Sequence, residues 1–231
     1  MPLPKYNLPR YETQLYSMKN KKIEFRTFTA GEQKTLLLAK ESDSLEDQIK
    51  ALKDIVKQCT FDQVDVNQLA FFDLEKLFMK IRSKSVSNET TISFKVKNSK
   101  DKITKTIDLD DVDLMIADDH SNIVNLTDSI GIVFNYPSLE TMYKSEKNSV
   151  DLVSVCVESI YDGETVTTRA DMSDTELQEF LDSLDVTALK KIKHFFDTMP
   201  RLRHELKIKY IIDGEEKEET IFIEGLNDFF D

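Results

Sequence analysis

Six aspartates between positions 108 and 119 have the clearest potential for chemistry, because clustered carboxylates are the ligands that Ca²⁺ and Mg²⁺ prefer. They are Asp108, Asp110, Asp111, Asp113, Asp118 and Asp119. A calcium loop starting at Asp108 would need glycine at its sixth position and a bidentate glutamate at its twelfth, where the chain has Asp113 and Asp119. The spacing therefore favours a solvated acidic loop. A metal-dependent hydrolase that uses the 108–119 cluster remains as an alternative function.

Other residues that could act as nucleophiles or bases are few, since the chain has three histidines and two cysteines. His120 follows two aspartates and is predicted to be exposed, whereas His194 lies in a predicted helix beside two phenylalanines and is expected to be a packed or edge histidine. Cys59 and Cys156 lie alone in unrelated contexts, so buried free thiols are predicted, and neither has a neighbouring histidine to activate a thiolate. The sequence contains no glycine-rich phosphate loop and no GxSxG motif. We therefore predict a protein that is not an enzyme, with no catalytic residue, no metal site and no cofactor.

The charge of the chain is unevenly distributed over its 231 residues, and its net value is −12. Residues 1–105 carry 20 Lys and Arg against 14 Asp and Glu, a net charge of +6, and residues 106–231 carry 11 against 29, a net charge of −18. An acidic chain binds the anionic phosphate backbone poorly, so no nucleic-acid partner is expected. No apolar run approaches the roughly 18 residues that cross a bilayer, so no membrane partner is expected either. The asymmetry indicates that the two halves face different protein neighbours, or each other.

The stretch 66–97 has the clearest structural pattern in the chain. Apolar residues at spacings of three and four predict an amphipathic helix over 66–82: Phe71, Leu74, Phe78 and Ile81. Polar residues fall mostly off that stripe: Asp73, Lys76, Lys80 and Arg82. Phe71 and Phe72 are adjacent and cannot both lie on one narrow stripe. Either this helix is packed on two sides or it holds a partner.

An approximate repeat predicts the fold class. The predicted helix 66–82 is followed by strands at 90–97 and 103–109, and the predicted helix 184–199 by strands at 206–212 and 219–224. Asp213-Gly214 between the last two strands is a strong hairpin signal, because glycine readily adopts the positive φ of such turns. Two helix–hairpin units without βαβ alternation favour an α+β protein of mixed helices and antiparallel hairpins.

The chain divides into four predicted segments. Residues 1–20 form an extended N-terminal arm, since Pro2, Pro4 and Pro9 exclude a helix. Residues 21–110 are the first helix–hairpin half, 111–170 a mixed middle region and 171–231 the second helix–hairpin half. Two capping boxes predict helix starts within this scheme, at 29–32 and at 173–176.

Long stretches of the sequence resemble the baseplate hub proteins of T-even-like contractile-tailed bacteriophages. They are LPRYE at 8–12, IEFRTFTAGEQKTLLLAKES at 23–42, FFDLEKLFMKIRSKSV at 71–86, TELQEFLDSLDVTALKKIKHFFDTMPRLRHELKIKY at 175–210 and FIEGLNDFF at 222–230. The similarity spans nearly the whole chain in the same order and is weakest over 110–170. Members are implied to be structural subunits of the hub or chaperone-like factors for tail assembly, and none is implied to carry a catalytic site.

The resemblance implies a non-enzymatic role in the viral tail, exerted through contacts with other baseplate hub proteins. It implies a location in the host cytoplasm during assembly and in the tail baseplate of the virion. An assembly factor absent from the finished virion is the alternative, and a homo-oligomer is also possible. Aromatic and apolar anchors are the usual energetic centres of such contacts. The partner-binding residues predicted on this basis are Leu8, Tyr11, Tyr16, Phe71, Phe72, Phe229 and Phe230.

Overall fold

The structure is a computed structural model that describes residues 6–42, 44–95, 102–146, 151–212 and 215–226. Seven α-helices and eleven strands lie within these ranges. The helices are α1 (Ala30–Glu41), α2 (Leu45–Cys59), α3 (Phe71–Ser85), α4 (Leu139–Glu146), α5 (Leu152–Cys156), α6 (Asp174–Asp182) and α7 (Val186–Thr198). The strands are β1 (Arg10–Leu15), β2 (Lys21–Arg26), β3 (Glu89–Lys95), β4 (Lys102–Asp108), β5 (Asp113–Met115), β6 (Ile123–Asn125), β7 (Ile130–Phe134), β8 (Val157–Asp162), β9 (Thr165–Thr168), β10 (Arg201–Ile212) and β11 (Glu215–Glu224).

The strands form four small sheets in which all pairs are antiparallel, so the predicted α+β class is confirmed. Two sheets are the hairpins β1–β2 and β3–β4, and the other two have the orders β11–β10–β5 and β6–β7–β8–β9. Both α3 and α7 precede an antiparallel hairpin in the chain, β3–β4 and β10–β11 respectively. Whether these two helix–hairpin pairs are related repeats stays a prediction, and the turns at 98–102 and 213–214 lie at least partly outside the described residues.

The chain folds as two compact units, and each is built from separated parts of the sequence. The first comprises Met1–Asn67, Phe72–Met115 and Arg201–Asp231, and the second comprises Gln68–Phe71 and Ile116–Pro200. The predicted division at 20, 110 and 170 stays a prediction. Residues 10–15 of the predicted arm form β1, which pairs with β2 from Arg10↔Arg26 to Leu15↔Lys21.

Each unit has its own apolar core. In the first unit, one cluster joins α3 to the β4 end and the two long strands through Met79, Ile107, Leu109, Val112, Leu202 and Ile223. In the second unit, the sheet and the helices α6 and α7 share a cluster that includes Ile132, Phe134, Leu177, Ile192 and Phe195. Phe134 and Phe195 stack with their ring centroids 4.8 Å apart.

Local sequence signals fix the helix starts as predicted. Thr29 and Glu32 form a reciprocal capping box at α1, with the Thr29 N–H donating to Glu32 Oε2 at 2.6 Å and the Glu32 N–H donating to Thr29 Oγ1 at 3.3 Å. Ser173 and Glu176 form the second box at α6. Each box satisfies backbone N–H groups that a helix start leaves without intrahelical partners.

Candidate protein–protein interface

The predicted partner residue Tyr11 lies in β1 of the first unit, on a half-buried position of the hairpin. Its ring stacks on Phe25 of β2, with centroids 5.6 Å apart, and the Lys84 ammonium lies 5.9 Å from the Tyr11 centroid. Phe25 itself is buried. Tyr11 therefore packs within its own unit. This packing holds the hairpin β1–β2, which begins two residues after Leu8.

The turn after β1 is held by a buried carboxylate. Asp73 of α3 accepts hydrogen bonds from the N–H of Tyr16 at 3.0 Å, the N–H of Ser17 at 2.7 Å and the hydroxyl of Ser17 at 2.6 Å. Asp73 is fully buried, although it lies off the apolar stripe of the helix. The burial raises the pKa of the Asp73 carboxyl despite these bonds, which act to lower it. Asp73 thus anchors a turn that lies far from it in the sequence.

The two adjacent phenylalanines at the start of α3 belong to different units. Phe72 is fully buried in the first unit, where its ring meets Tyr16 edge-on with centroids 6.2 Å apart. Phe71 is half-buried in the second unit, where its N–H donates to the carbonyl of Pro137 at 2.9 Å and its ring packs against the core cluster. The structure therefore brings Tyr16 and Phe72 together and places Phe71 elsewhere.

The remaining predicted partner residues are at the two ends of the chain. Leu8 is half-buried and precedes β1. Phe229 and Phe230 lie outside the described residues.

The acidic segment 108–113 is held by three lysines of α3 that recur every fourth residue. Lys76 Nζ lies 2.7 Å from Asp113 Oδ1, and Lys84 Nζ lies 2.6 Å from Asp110 Oδ2. Between them, Lys80 Nζ donates to the carbonyls of Asp110 at 3.0 Å and Val112 at 3.1 Å. Residues four apart share one helix face, so the lysine spacing was a signal in the sequence. Nothing local in the sequence indicated that this face contacts a segment about 30 residues further along the chain.

Two of the lysines also lower the pKa of the aspartates with which they pair. The hydrogen bond and charge of Lys84 lower the pKa of Asp110. Burial alone would raise the pKa of Asp113, but the hydrogen bond and charge of Lys76 and the N–H of Leu114 lower it overall. Asp110 and Asp113 therefore carry negative charges that the adjacent lysine ammonium groups balance. Such ion pairs fasten a loop to a helix. Within the described residues, no group of three or more His, Cys, Asp or Glu side chains is placed to hold a metal ion.

The prediction that His120 is exposed to solvent is wrong. His120 is half-buried in the second unit, where Nδ1 lies 2.9 Å from Thr198 Oγ1 and Nε2 lies 2.8 Å from the Tyr136 hydroxyl. Burial lowers the pKa of His120, against the charge of Asp119. His194, expected to be a packed or edge histidine, is about half exposed, and its Nε2 lies 2.9 Å from Asp119 Oδ2. These contacts were invisible in the sequence, because they join a loop to the far end of α7.

The two cysteines are buried free thiols, as predicted. Burial raises the pKa of both Cys59 and Cys156 to about 12. The reactive form of cysteine is the thiolate, so neither residue is suited to nucleophilic chemistry near neutral pH.

A family model decides the identity of the protein. The model described as "T4 bacteriophage base plate protein" matches residues 8–231, which is nearly the whole chain. The chain belongs to this family. No curated protein and no solved structure matches it. Among the described residues of this baseplate protein, no helix is both long enough and apolar enough to cross a membrane.

The baseplate protein also exposes apolar side chains that are not among the predicted partner contacts. On the first unit, Leu37 and Leu38 of α1 are 56% and 58% exposed, and Leu45 of α2 is 42% exposed. The run Leu36-Leu37-Leu38 indicated this exposure in the sequence. Three consecutive helical residues point in directions about 100° apart, so they cannot share one buried face. On the second unit, Ile123 of β6 and Leu189 of α7 are about half exposed.

Proposed function

We propose that this baseplate protein is a non-enzymatic component of the central hub that acts through protein–protein contacts during hub assembly. The observation that carries the proposal is the fastening of segment 108–113 by α3, in which Lys76 and Lys84 pair with Asp113 and Asp110 and Lys80 binds two backbone carbonyls. The acidic cluster was the strongest candidate for catalysis, and the two ion pairs give Asp110 and Asp113 a structural use. The hub position in particular rests on the resemblance of the sequence to hub proteins.

The exposed leucines give such a protein surfaces with which to bind neighbours. Leu37 and Leu38 place apolar area on α1, a helix of which no residue is fully buried. Protein interfaces concentrate their binding energy in apolar anchors surrounded by polar residues, and Lys34 and Glu41 lie on the same helix. We propose that the α1 surface contacts another baseplate protein.

Among the residues predicted to bind partners, we propose Leu8 as a direct contact, with Tyr11 and Tyr16 fixing the hairpin that carries it. Phe72 is fully buried and would act only by supporting the turn at Tyr16. Phe71, which packs in the second unit, would support its core in the same indirect way. Phe229 and Phe230 remain proposed partner contacts.

Deletion of residues 1–9 tests the role of Leu8, because the deletion stops before β1 begins at Arg10. The shortened chain is supplied to a phage that lacks its own copy of the gene. We expect an unchanged melting temperature together with loss of complete baseplates, judged by electron microscopy of the lysate. A matched control replaces Asn7 with alanine, and it should assemble normally. A lower melting temperature after the deletion would mean that the segment stabilises its own unit.

A second candidate function, metal-dependent hydrolysis at the acidic cluster, is tested with Asp111→Asn. Asp111 is exposed, so the substitution removes one carboxylate of the cluster without touching the lysine pairs of Asp110 and Asp113. The proposed function predicts normal phage yield for this variant. A loss of yield with an unchanged melting temperature would favour the hydrolase.

A further inference from the structure

The second unit carries a groove of about 370 Å³ between the edge strand β6 and helix α7. Its floor is apolar and consists of Ile123, Val124 and Phe195, of which Ile123 is 51% exposed. Its rim on α7 carries Lys190, Lys191 and His194, and the lining also includes Asp119, which pairs with His194. An apolar floor under a basic rim suits a ligand with an aromatic or aliphatic side chain next to carboxylates.

The groove is not a place where a partner could add a strand to the sheet. The N–H of Ile123 donates to Ser121 Oγ at 3.1 Å, and the Ser121 hydroxyl donates to the carbonyl of Ile123 at 3.2 Å. Lys191 Nζ donates to the carbonyls of Asn125 and Leu126, each at 2.9 Å. These side chains engage the N–H and carbonyl of Ile123 and the carbonyl of Asn125, three of the main-chain groups that an added strand would use. The groove therefore favours a ligand that is recognised by its side chains.

The charge of the rim is unusual for this chain. Residues 106–231 have a net charge of −18, yet α7 carries Lys190, Lys191, Lys193 and His194 within five positions. Lys193 pairs with Asp197, and His194 pairs with Asp119. The described residues provide no ion pair for Lys190, whose side chain lines the groove. Because the one carboxylate in the described lining of the groove, Asp119, pairs with His194, the Lys190 ammonium is left to attract an acidic ligand.

The chain itself contains a segment with the required chemistry. Residues 227–231 read Asn-Asp-Phe-Phe-Asp, two adjacent phenylalanines flanked by aspartates. They lie outside the described residues. The phenylalanines match the apolar floor, and the aspartates match the lysines of the rim.

We propose that the groove between β6 and α7 binds segment 227–231 of a second copy of the chain. The contact joins two different surfaces, so it is heterologous, and repetition of it closes a ring or extends a filament. The inference does not depend on the hub role. It applies equally to a hub subunit and to an assembly factor that leaves the virion.

Sedimentation velocity of the full chain over a range of concentrations tests the proposal. We expect the wild type to self-associate, and both Lys190→Glu and the double variant Phe229→Ala/Phe230→Ala to weaken the association about tenfold, the effect of losing one good interface contact. The matched control is Lys193→Glu, which makes the same charge change one turn along α7 but does not line the groove. It should associate like the wild type. Circular dichroism verifies that each variant is folded.

A labelled peptide of residues 224–231 provides an independent readout by fluorescence anisotropy. It should bind the wild-type chain, compete with self-association and bind Lys190→Glu about tenfold more weakly. Equal weakening by Lys193→Glu would reveal a general charge effect and overturn the proposal. A wild type that stays monomeric would also overturn it. For a monomeric wild type, the peptide assay is repeated with a chain that lacks residues 227–231. Stronger peptide binding by the shortened chain would mean that the groove binds the segment of the same copy. Absence of peptide binding would mean that the groove does not bind this segment.

Discussion

Glu75 of α3 makes the stability of the first unit depend on pH in a direction opposite to that of most carboxylates. Its carboxyl group faces the turn after β11, where it accepts a hydrogen bond from the N–H of Leu226. A Cβ atom on Gly225, which adopts a positive φ of 70°, would lie 3.3 Å from Glu75 Oε1. Burial, reinforced by the charge of Glu224, raises the pKa of Glu75 to about 7 in spite of the bond from Leu226.

The size of the effect follows from that pKa. Each tenfold change in an ionisation constant corresponds to about 1.4 kcal/mol. A rise from the ordinary value of 4.5 to about 7 therefore makes ionised Glu75 cost the folded state about 3 kcal/mol. Because the folded pKa is the higher one, the contribution of Glu75 to stability is complete below pH 4.5 and is lost as the pH rises to about 7.

Replacement of Glu75 by glutamine isolates this contribution, because the amide oxygen can still accept the Leu226 N–H but cannot ionise. We expect the free energy of unfolding of Glu75→Gln to exceed that of the wild type at pH 8 and to lose this advantage toward pH 4.5, with a difference of about 3 kcal/mol between the two ends. The assay is urea denaturation followed by circular dichroism, since the chain has no tryptophan.

Comparison with a control separates Glu75 from the other titrating groups. Glu41→Gln makes the same chemical change at the exposed end of α1 and should follow the pH dependence of the wild type. A difference between Glu75→Gln and wild type that stays constant from pH 4.5 to 8 would refute the assignment of the raised pKa to Glu75.

Three further predictions concern the anchors and packing of each unit. Replacement of Asp73 by alanine removes three hydrogen bonds from the turn at Tyr16 and Ser17, and should cost about 2–4 kcal/mol and speed hydrogen exchange at both amides; unchanged exchange would contradict the anchoring role. Replacement of Gly131 by alanine places a methyl group against the Tyr161 ring and should lower the melting temperature, whereas Gly131→Ala combined with Tyr161→Ser should lose much less than the two single changes together; simple additivity would contradict the steric explanation. Cys59 and Cys156 should resist alkylation at pH 8 in native protein and react in urea, as followed by intact mass, because burial holds their pKa near 12; rapid native labelling would contradict their burial.

Periodicity predicted the helices well where one face meets a core. Leu74, Phe78 and Ile81 are buried in α3 as their spacing requires, and both capping boxes start helices. These signals are local, because a helix face and a helix start are defined by residues three and four apart.

The polar contacts of α3 could not be predicted in this way. Asp73 is buried because it bonds to a turn 56 and 57 positions earlier, and Lys80 is half-buried because it bonds to carbonyls 30 and 32 positions later. Spacing showed that the lysines share a face, but no local rule states what that face meets. The assignment of Phe71 and Phe72 to separate units was equally hidden, since each unit combines distant parts of the sequence.

The central claim, that this protein acts as a baseplate hub component, is tested most directly by quantitative mass spectrometry of purified infectious virions alongside the infected-cell lysate. The proposed role predicts a defined, low copy number per virion, in fixed proportion to the other baseplate proteins. Abundance in the lysate together with absence from virions would contradict it, and would identify an assembly factor whose contacts are made and released before the particle is complete.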